Sequence, residues 1–219
     1  MVNTQGMSLA KILLVEDDSF LRATLSSLFT SKGFSVVGAV ETADEALVIQ
    51  SLHNPEVLVT DLDLGPGPNG IDIATALRNQ NPNIGVIFLT SFSDPRLSDP
   101  RSAPLPKGAM YFTKSKVSDA AVLLSAVLQV KHRPHLGVTT RRPEPSPLTE
   151  TQIDILRLVS EGQTTASIAK ERNVSEKSVE AALSRTYSAL GLERSPGLNP
   201  RVQLTRAYFR LAGKKPPNE

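Results

Sequence analysis

Cysteine is absent from the chain, which excludes both a disulfide framework and a thiolate metal site. That fits a reducing cytoplasm, the location expected here. No apolar run approaches the roughly 18 residues that a membrane-spanning helix needs, so no membrane partner is expected. The opening residues, MVNTQGMSLA, lack the charged and apolar regions of a secretory signal. No internal repeat is visible, and the net charge is only +2. What is present is a globular composition, 40% apolar and 21% charged over 219 residues. That is enough chain for two domains with sizeable cores.

The small net charge conceals an asymmetry. Residues 1–131 hold 10 Lys and Arg against 13 Asp and Glu, a net of −3, whereas residues 132–219 hold 14 against 9, a net of +5. The two parts are expected to meet different partners. Nucleic acid suits the basic part, and so does a plain solvated surface. Near the junction, HRPHLGVTTRRPEPSP (residues 132–147) has no apolar periodicity and four prolines. It reads as a linker, stiffened in places.

Ahead of the linker, short apolar runs alternate with helical patterns. Strands are expected at Lys11–Val15, Phe34–Val40, Val57–Thr60, Gly85–Leu89 and Ala109–Thr113. Helices are expected at Phe20–Lys32, Ala43–His53 and Ile71–Gln80, and at about Asp119–Lys131 behind a Ser118 cap. Such alternation predicts an α/β fold, a parallel sheet covered on both faces. After the linker the pattern is all helical. Thr149 and Gln152 are spaced for a capping box ahead of a helix that Gly162 ends. Then come a short helix at about Thr165–Arg172, a turn, a longer helix at Glu176–Leu190 behind a Ser175 cap, and a last helix at Arg201–Leu211. This is a separate all-α, four-helix domain with a helix-turn-helix.

Chemistry concentrates where the predicted strands end. KILLVEDD delivers Glu16, Asp17 and Asp18 after the first strand, and VLVTDLDLG delivers Asp61 and Asp63 after the third. Ligands of parallel sheets sit at that edge. Two carboxylates about 4 Å apart repel by roughly 4 kcal/mol at an effective dielectric near 20, so a cation or a raised pKa must compensate. Oxygen-only ligands favour a hard divalent ion such as Mg²⁺. Thr90 closes the fourth strand and Lys114 follows the fifth; a hydroxyl and a cation are what a phosphoryl group in transfer needs. Each cluster alone is equally well read as helix caps and loop acids on a solvated strand end.

Taken together these positions resemble the receiver domain of bacterial two-component response regulators, over about residues 9–131. The resemblance implies a flavodoxin-like, doubly wound, five-stranded parallel sheet. It implies Asp61 as phospho-acceptor, Thr90 and Tyr111 as switch residues, and Lys114 as the site's lysine. Mg²⁺ is then held by Asp17, Asp61 and the backbone carbonyl of Asp63, with Glu16 acting through a water. A sensor histidine kinase is the implied phosphodonor, and self-catalysed acceptance at Asp61 the implied chemistry, with no enzyme activity beyond it. DLDLG also resembles the entry motif of haloacid-dehalogenase-type phosphatases, which leaves Glu16 and Asp17 unexplained.

The resemblance fails in one region. SFSDPRLSDPRSAPLPK, which follows Thr90, holds Pro95, Pro100, Pro104 and Pro106 where the family has a helix of its output and dimerisation face. An interior proline costs a helix about 3 kcal/mol, so a loop with at most a single helical turn is expected. The loop after Asp61 is also one residue longer than the family pattern, and Ser115 stands where many receivers have a cis-proline.

Residues 148–192 are similar to the LuxR-type DNA-binding domain, through Leu148–Thr149, Leu156, Glu161–Gly162, Ile168–Ala169, Val174–Ser175, Lys177, Val179 and Leu190–Gly191. The domain is taken as residues 148–212. The similarity implies that Glu176–Leu190 enters the major groove of double-stranded DNA, with Lys177, Ser178, Ala181, Ser184 and Arg185 as contacts, and that the active form is a homodimer. Glu180, Ala182 and Ala189 replace cations usual in the family, which weakens phosphate contact. Further cations, Arg194, Arg201, Arg206, Arg210, Lys214 and Lys215, follow downstream. A regulator acting through protein contacts, with a degenerate helix-turn-helix, is the alternative reading.

Overall fold

Five short strands carry the first half of the chain in the computed structural model, which describes residues 8–97, 104–116, 119–136, 147–193 and 197–213. They are β1 (Lys11–Val15), β2 (Ser35–Val40), β3 (Val57–Thr60), β4 (Gly85–Thr90) and β5 (Met110–Thr113). All pairs are parallel, in the order β2-β1-β3-β4-β5. Residues of β3 and β4 are buried throughout, as a sheet covered on both faces requires. Apolar runs rich in Val, Ile and Leu therefore replace the polar-apolar alternation of a half-exposed strand.

Helices α1 (Ser19–Ser31), α2 (Ala43–His53), α3 (Gly70–Gln80) and α4 (Ala120–His132) cover the sheet. Side chains alternate across it. Ile12, Leu14, Val57 and Val59 pack with Leu25 and Phe29 of α1 and Leu123 and Val127 of α4. Leu13, Val15, Leu58 and Val86 face the other way, against Ala46 of α2 and Ile71, Ala74 and Leu77 of α3. The pairs α1/α4 and α2/α3 thus lie on opposite faces. Each helix starts at a side-chain cap: Asp18, Thr42, Asn69 and Asp119 accept from backbone N–H groups that the first turn leaves unpartnered. Ser118, the expected cap of α4, lies outside the described residues. Asp119 takes that role, accepting from Ala121 N at 2.8 Å.

The second unit is helical, with α5 (Glu150–Ser160), α6 (Thr165–Glu171), α7 (Glu176–Ala189) and α8 (Pro200–Leu211). The Thr149/Gln152 capping box forms as expected. Between α6 and α7, Asn173 takes a left-handed φ of +52°, which a short amide tolerates better than most residues, and Ser175 caps α7 through Ser178 N at 3.1 Å. The core gathers Ile153, Leu156, Ile168, Val179, Tyr187 and Leu204. Ala182 belongs to it at 5% exposure. The expectation that Ala182 removes a phosphate-facing cation is therefore corrected: its position points inward. Arg201 is also engaged internally, donating to Gln163 O and Thr165 Oγ1, each at 2.7 Å.

In the described parts of the run after Thr90 the structure agrees with the expected loop: residues 91–97 contain a single 3-10 turn, Pro95–Leu97, and residues 104–107 carry no helix or strand. Residues 98–103 lie outside the described set, as do 137–146 of the expected linker. Among the described residues, those up to Thr90 and from 104 to 136 form one unit, whereas Ser91–Leu97 are grouped with the helices of the other.

Candidate functional site

The adjacency of β1 and β3 in the sheet decides where the acids go. Val15 and Thr60 are register partners, so Glu16 and Asp61 leave neighbouring strands side by side. Glu16, Asp17 and Asp61 each offer a carboxylate oxygen, and these oxygens lie within 4.8 Å of one another. The group suits a hard cation in donor type. Glu16 and Asp61 are 1% and 5% exposed, while Asp17 is open to solvent. The Asp63 carboxylate is not in this group; Asp63 bears on Asp61 through its N–H, which donates to Asp61 Oδ1 at 3.3 Å. Leu62 N donates to the same oxygen at 2.5 Å.

Lys114 enters from the end of β5. Its ammonium donates to Asp61 Oδ2 at 2.6 Å and to Glu16 Oε1 at 2.8 Å. One cation thus compensates two buried acids, which explains how the cluster stays folded. The energetics are those of a strained compromise. Burial dominates at Glu16 and pushes its carboxyl up to about 7, against the opposing pull of the Lys114 hydrogen bond and charge. At Lys114 burial works downward, yet Asp61 and then Glu16 outweigh it and hold the ammonium's pKa above its usual value.

Thr90 ends β4 with no exposure, opposite Thr113 of β5, the residue before Lys114. Tyr111 sits lower on β5, opposite Phe88, 6% exposed in the α2/α3-side core. The sheet therefore brings Glu16, Asp17, Asp61, Thr90 and Lys114 to one edge, with Tyr111 on the strand that delivers Lys114. Asp18 stands apart as the cap of α1, accepting from Leu21 N at 2.9 Å.

Two supports of the site were not read from the sequence. Arg22 of α1 reaches back to the carbonyls of Glu16, at 2.5 Å, and Asp17, at 3.3 Å, and pairs with Glu41 at 3.3 Å. Its spacing of one helical turn from the Asp18 cap was the available signal. Gly70, the first residue of α3, comes so close to the site that a Cβ there would lie 2.0 Å from the Asp61 carbonyl oxygen. A glycine just after an Asn cap hints at such an approach, but nothing in the sequence names Asp61 as the neighbour.

On α7, Lys177, Ser178, Ala181, Ser184 and Arg185 are all exposed, and so is Glu180. The Ser178 hydroxyl is shared with Ser175 at 2.8 Å, and Arg185 Nε donates to Ala181 O at 3.2 Å. A face so composed is weakly cationic rather than strongly so.

Two family models match: the response regulator receiver domain over residues 12–127, and the luxR family of bacterial regulatory proteins over residues 146–198. The DNA-binding transcriptional activator DevR/DosR of Mycobacterium tuberculosis is 29% identical, covering 96% of this chain and 99% of its own. The transcriptional regulatory protein DesR of Bacillus subtilis is 28% identical, covering 90% and 95%. In fold, the chain resembles the response regulator RcsB from its DNA complex, with a TM-score of 0.57 at 20% identity over 92% of this chain and 98% of that one. RcsB of Salmonella typhimurium gives 0.55 at 19% identity over 94% and 100%. At such identities the likeness is one of fold.

Proposed function

Because the chain belongs to the response regulator receiver family and carries a C-terminal luxR-family domain, we propose that it is a transcriptional regulator switched by phosphorylation of Asp61. The observation that carries this is the convergence of Glu16, Asp17, Asp61 and Lys114 at one strand edge. We take residues 9–131 as receiver, 132–147 as linker and 148–212 as the DNA-binding domain.

An oxygen of Asp61 attacks phosphorus on a phosphohistidine of a sensor kinase. The P–O bond to Asp61 forms, the P–N bond breaks, and the imidazole leaves and takes up a proton. Leu62 N and Asp63 N orient the acceptor through Oδ1, leaving Oδ2, the partner of Lys114, on the side of the charge. Lys114 neutralises phosphoryl oxygens, and Thr90, at the end of β4, donates its hydroxyl to them. The Glu16, Asp17 and Asp61 group suits Mg²⁺ in donor type; Asp17, Asp61 and the Asp63 carbonyl would hold the ion, with Glu16 acting through a water. When bound, the ion supplies neutralisation of phosphoryl charge. No turnover beyond acceptance at Asp61 is assigned.

Lys177, Ser178, Ala181, Ser184 and Arg185 face double-stranded DNA in this reading, and the modified protein pairs as a homodimer in the cytoplasm. The luxR-family match and the DNA-binding name of the relative above support DNA over a protein partner. Among the described residues no helix is long and apolar enough to cross a membrane.

Incubation with a small acyl phosphate and Mg²⁺ tests the acceptor. Intact-protein mass spectrometry is expected to find one phosphoryl group on the wild type and none on Asp61→Asn. Equal labelling of the variant overturns the assignment.

A further inference from the structure

The three acids at the strand tips are not held alike. Glu16 and Asp61 are buried, and both accept from Lys114, so packing and an ion pair fix them. Asp17 is exposed, so its backbone, not packing, must set where its carboxylate points. Peptide units are planar and stiff. The direction in which the Asp17 Cβ leaves the chain therefore follows from the two planes that flank its Cα, those that carry the Glu16 and Asp17 carbonyls. Both carbonyls accept from one nitrogen, Nη1 of Arg22, at 2.5 and 3.3 Å. The guanidinium is itself tied down on two sides. Arg22 lies one turn into α1, with its N–H bonded to Asp18 O at 2.9 Å. Its Nη2 pairs at 3.3 Å with Glu41, the residue after β2. Glu16 N donates to Val40 O at 3.0 Å, so the tips of β1 and β2 are joined twice around the same turn.

We propose that Arg22 is a positioning residue for the cation site: by pinning both peptide planes around Asp17 it aims that exposed carboxylate at Asp61 before an ion arrives. This rests on the reading of Glu16, Asp17 and Asp61 as a Mg²⁺ site. Two effects of Arg22 on such a site oppose each other. As a charge, a guanidinium repels a divalent cation and weakens its binding. As a clamp, it removes the entropy that Asp17 would otherwise lose on binding, and so strengthens it. The Glu41 carboxylate beside the guanidinium offsets its charge but not its hydrogen bonds, which leaves the clamp dominant. The two roles predict opposite signs when the side chain is removed: tighter binding if Arg22 acts as a charge, weaker if it acts as a clamp.

Calorimetric titration of the full chain with Mg²⁺ tests this, after thermal melting has shown each variant to be folded. Arg22→Ala is expected to bind Mg²⁺ about tenfold more weakly than the wild type, the usual loss when a partner that orients a metal ligand is removed. Arg22→Lys keeps the charge but not the planar fork, and is expected to fall between, about threefold weaker. In labelling with a small acyl phosphate, the Mg²⁺ concentration that gives half the maximal rate is expected to rise by the same factor in each variant. Arg22→Ala that binds Mg²⁺ as tightly as the wild type, or more tightly, overturns the positioning role. Where Arg22→Ala does not fold, Arg22→Lys decides, and wild-type affinity in that variant overturns it. A wild type that takes up no Mg²⁺ overturns the reading of the acids as a cation site, and the role of Arg22 with it.

Discussion

Glu16 shows how much a single side chain's setting matters. Its position after an apolar strand was legible from the run KILLVEDD, because a strand that is buried on both faces must end where acids begin. Its partner was not, since Lys114 is 98 residues away and only the order of strands joins them. Burial pushes the Glu16 carboxyl up to about 7. Below that value it is protonated and neutral; above it the charge that favours a cation is present. Mg²⁺ affinity is therefore expected to climb as pH rises from one unit below to one unit above, and Glu16→Gln to flatten that rise. Calorimetric titration with Mg²⁺ checks both. A wild-type affinity indifferent to pH across this window would separate Glu16 from cation binding.

At the scale of elements, caps and periodicity fixed most helices to within a residue, because Asp, Asn, Thr and Ser at helix starts satisfy backbone donors by local chemistry alone. The faces of α7 were harder. Ala182 reads as neutral in any pattern, so only packing against the core reveals that it points inward. Glu180, by contrast, is exposed as expected, beside Lys177 and Arg185. Glu180→Lys is expected to strengthen retention on nonspecific duplex DNA and to steepen the salt dependence by about one phosphate contact. Filter retention across a salt series measures this, and an unchanged slope would turn the outward face of α7 away from the DNA backbone. The described parts of the proline-rich run after Thr90, residues 91–97 and 104–107, were legible as free of α-helix for the same local reason, loss of donors and steric clash. The destination of residues 91–97 was not legible, because no local rule says which core apolar side chains will join.

On the scale of the whole molecule, the chain builds one core on each face of the sheet and a separate one among α5–α8. Chemistry and recognition are thereby divided. Leu156, fully buried in the helical core, is expected on mutation to Ala to lower the stability of that unit by about 2–5 kcal/mol and to weaken DNA retention, while phosphoryl uptake at Asp61 proceeds as before. Thermal melting paired with labelling tests that division; loss of both together would mean that the cores do not stand apart. The sheet order adds a last point. From β1 the chain departs through α1 to one face, and from β3, its neighbour, through α3 to the other. The two connections diverge, so a notch opens above the strand tips between them whatever residues line it. Substituting the acids changes what the notch can hold but leaves the notch in place, which makes the binding place a property of chain routing and only its selectivity a property of side chains.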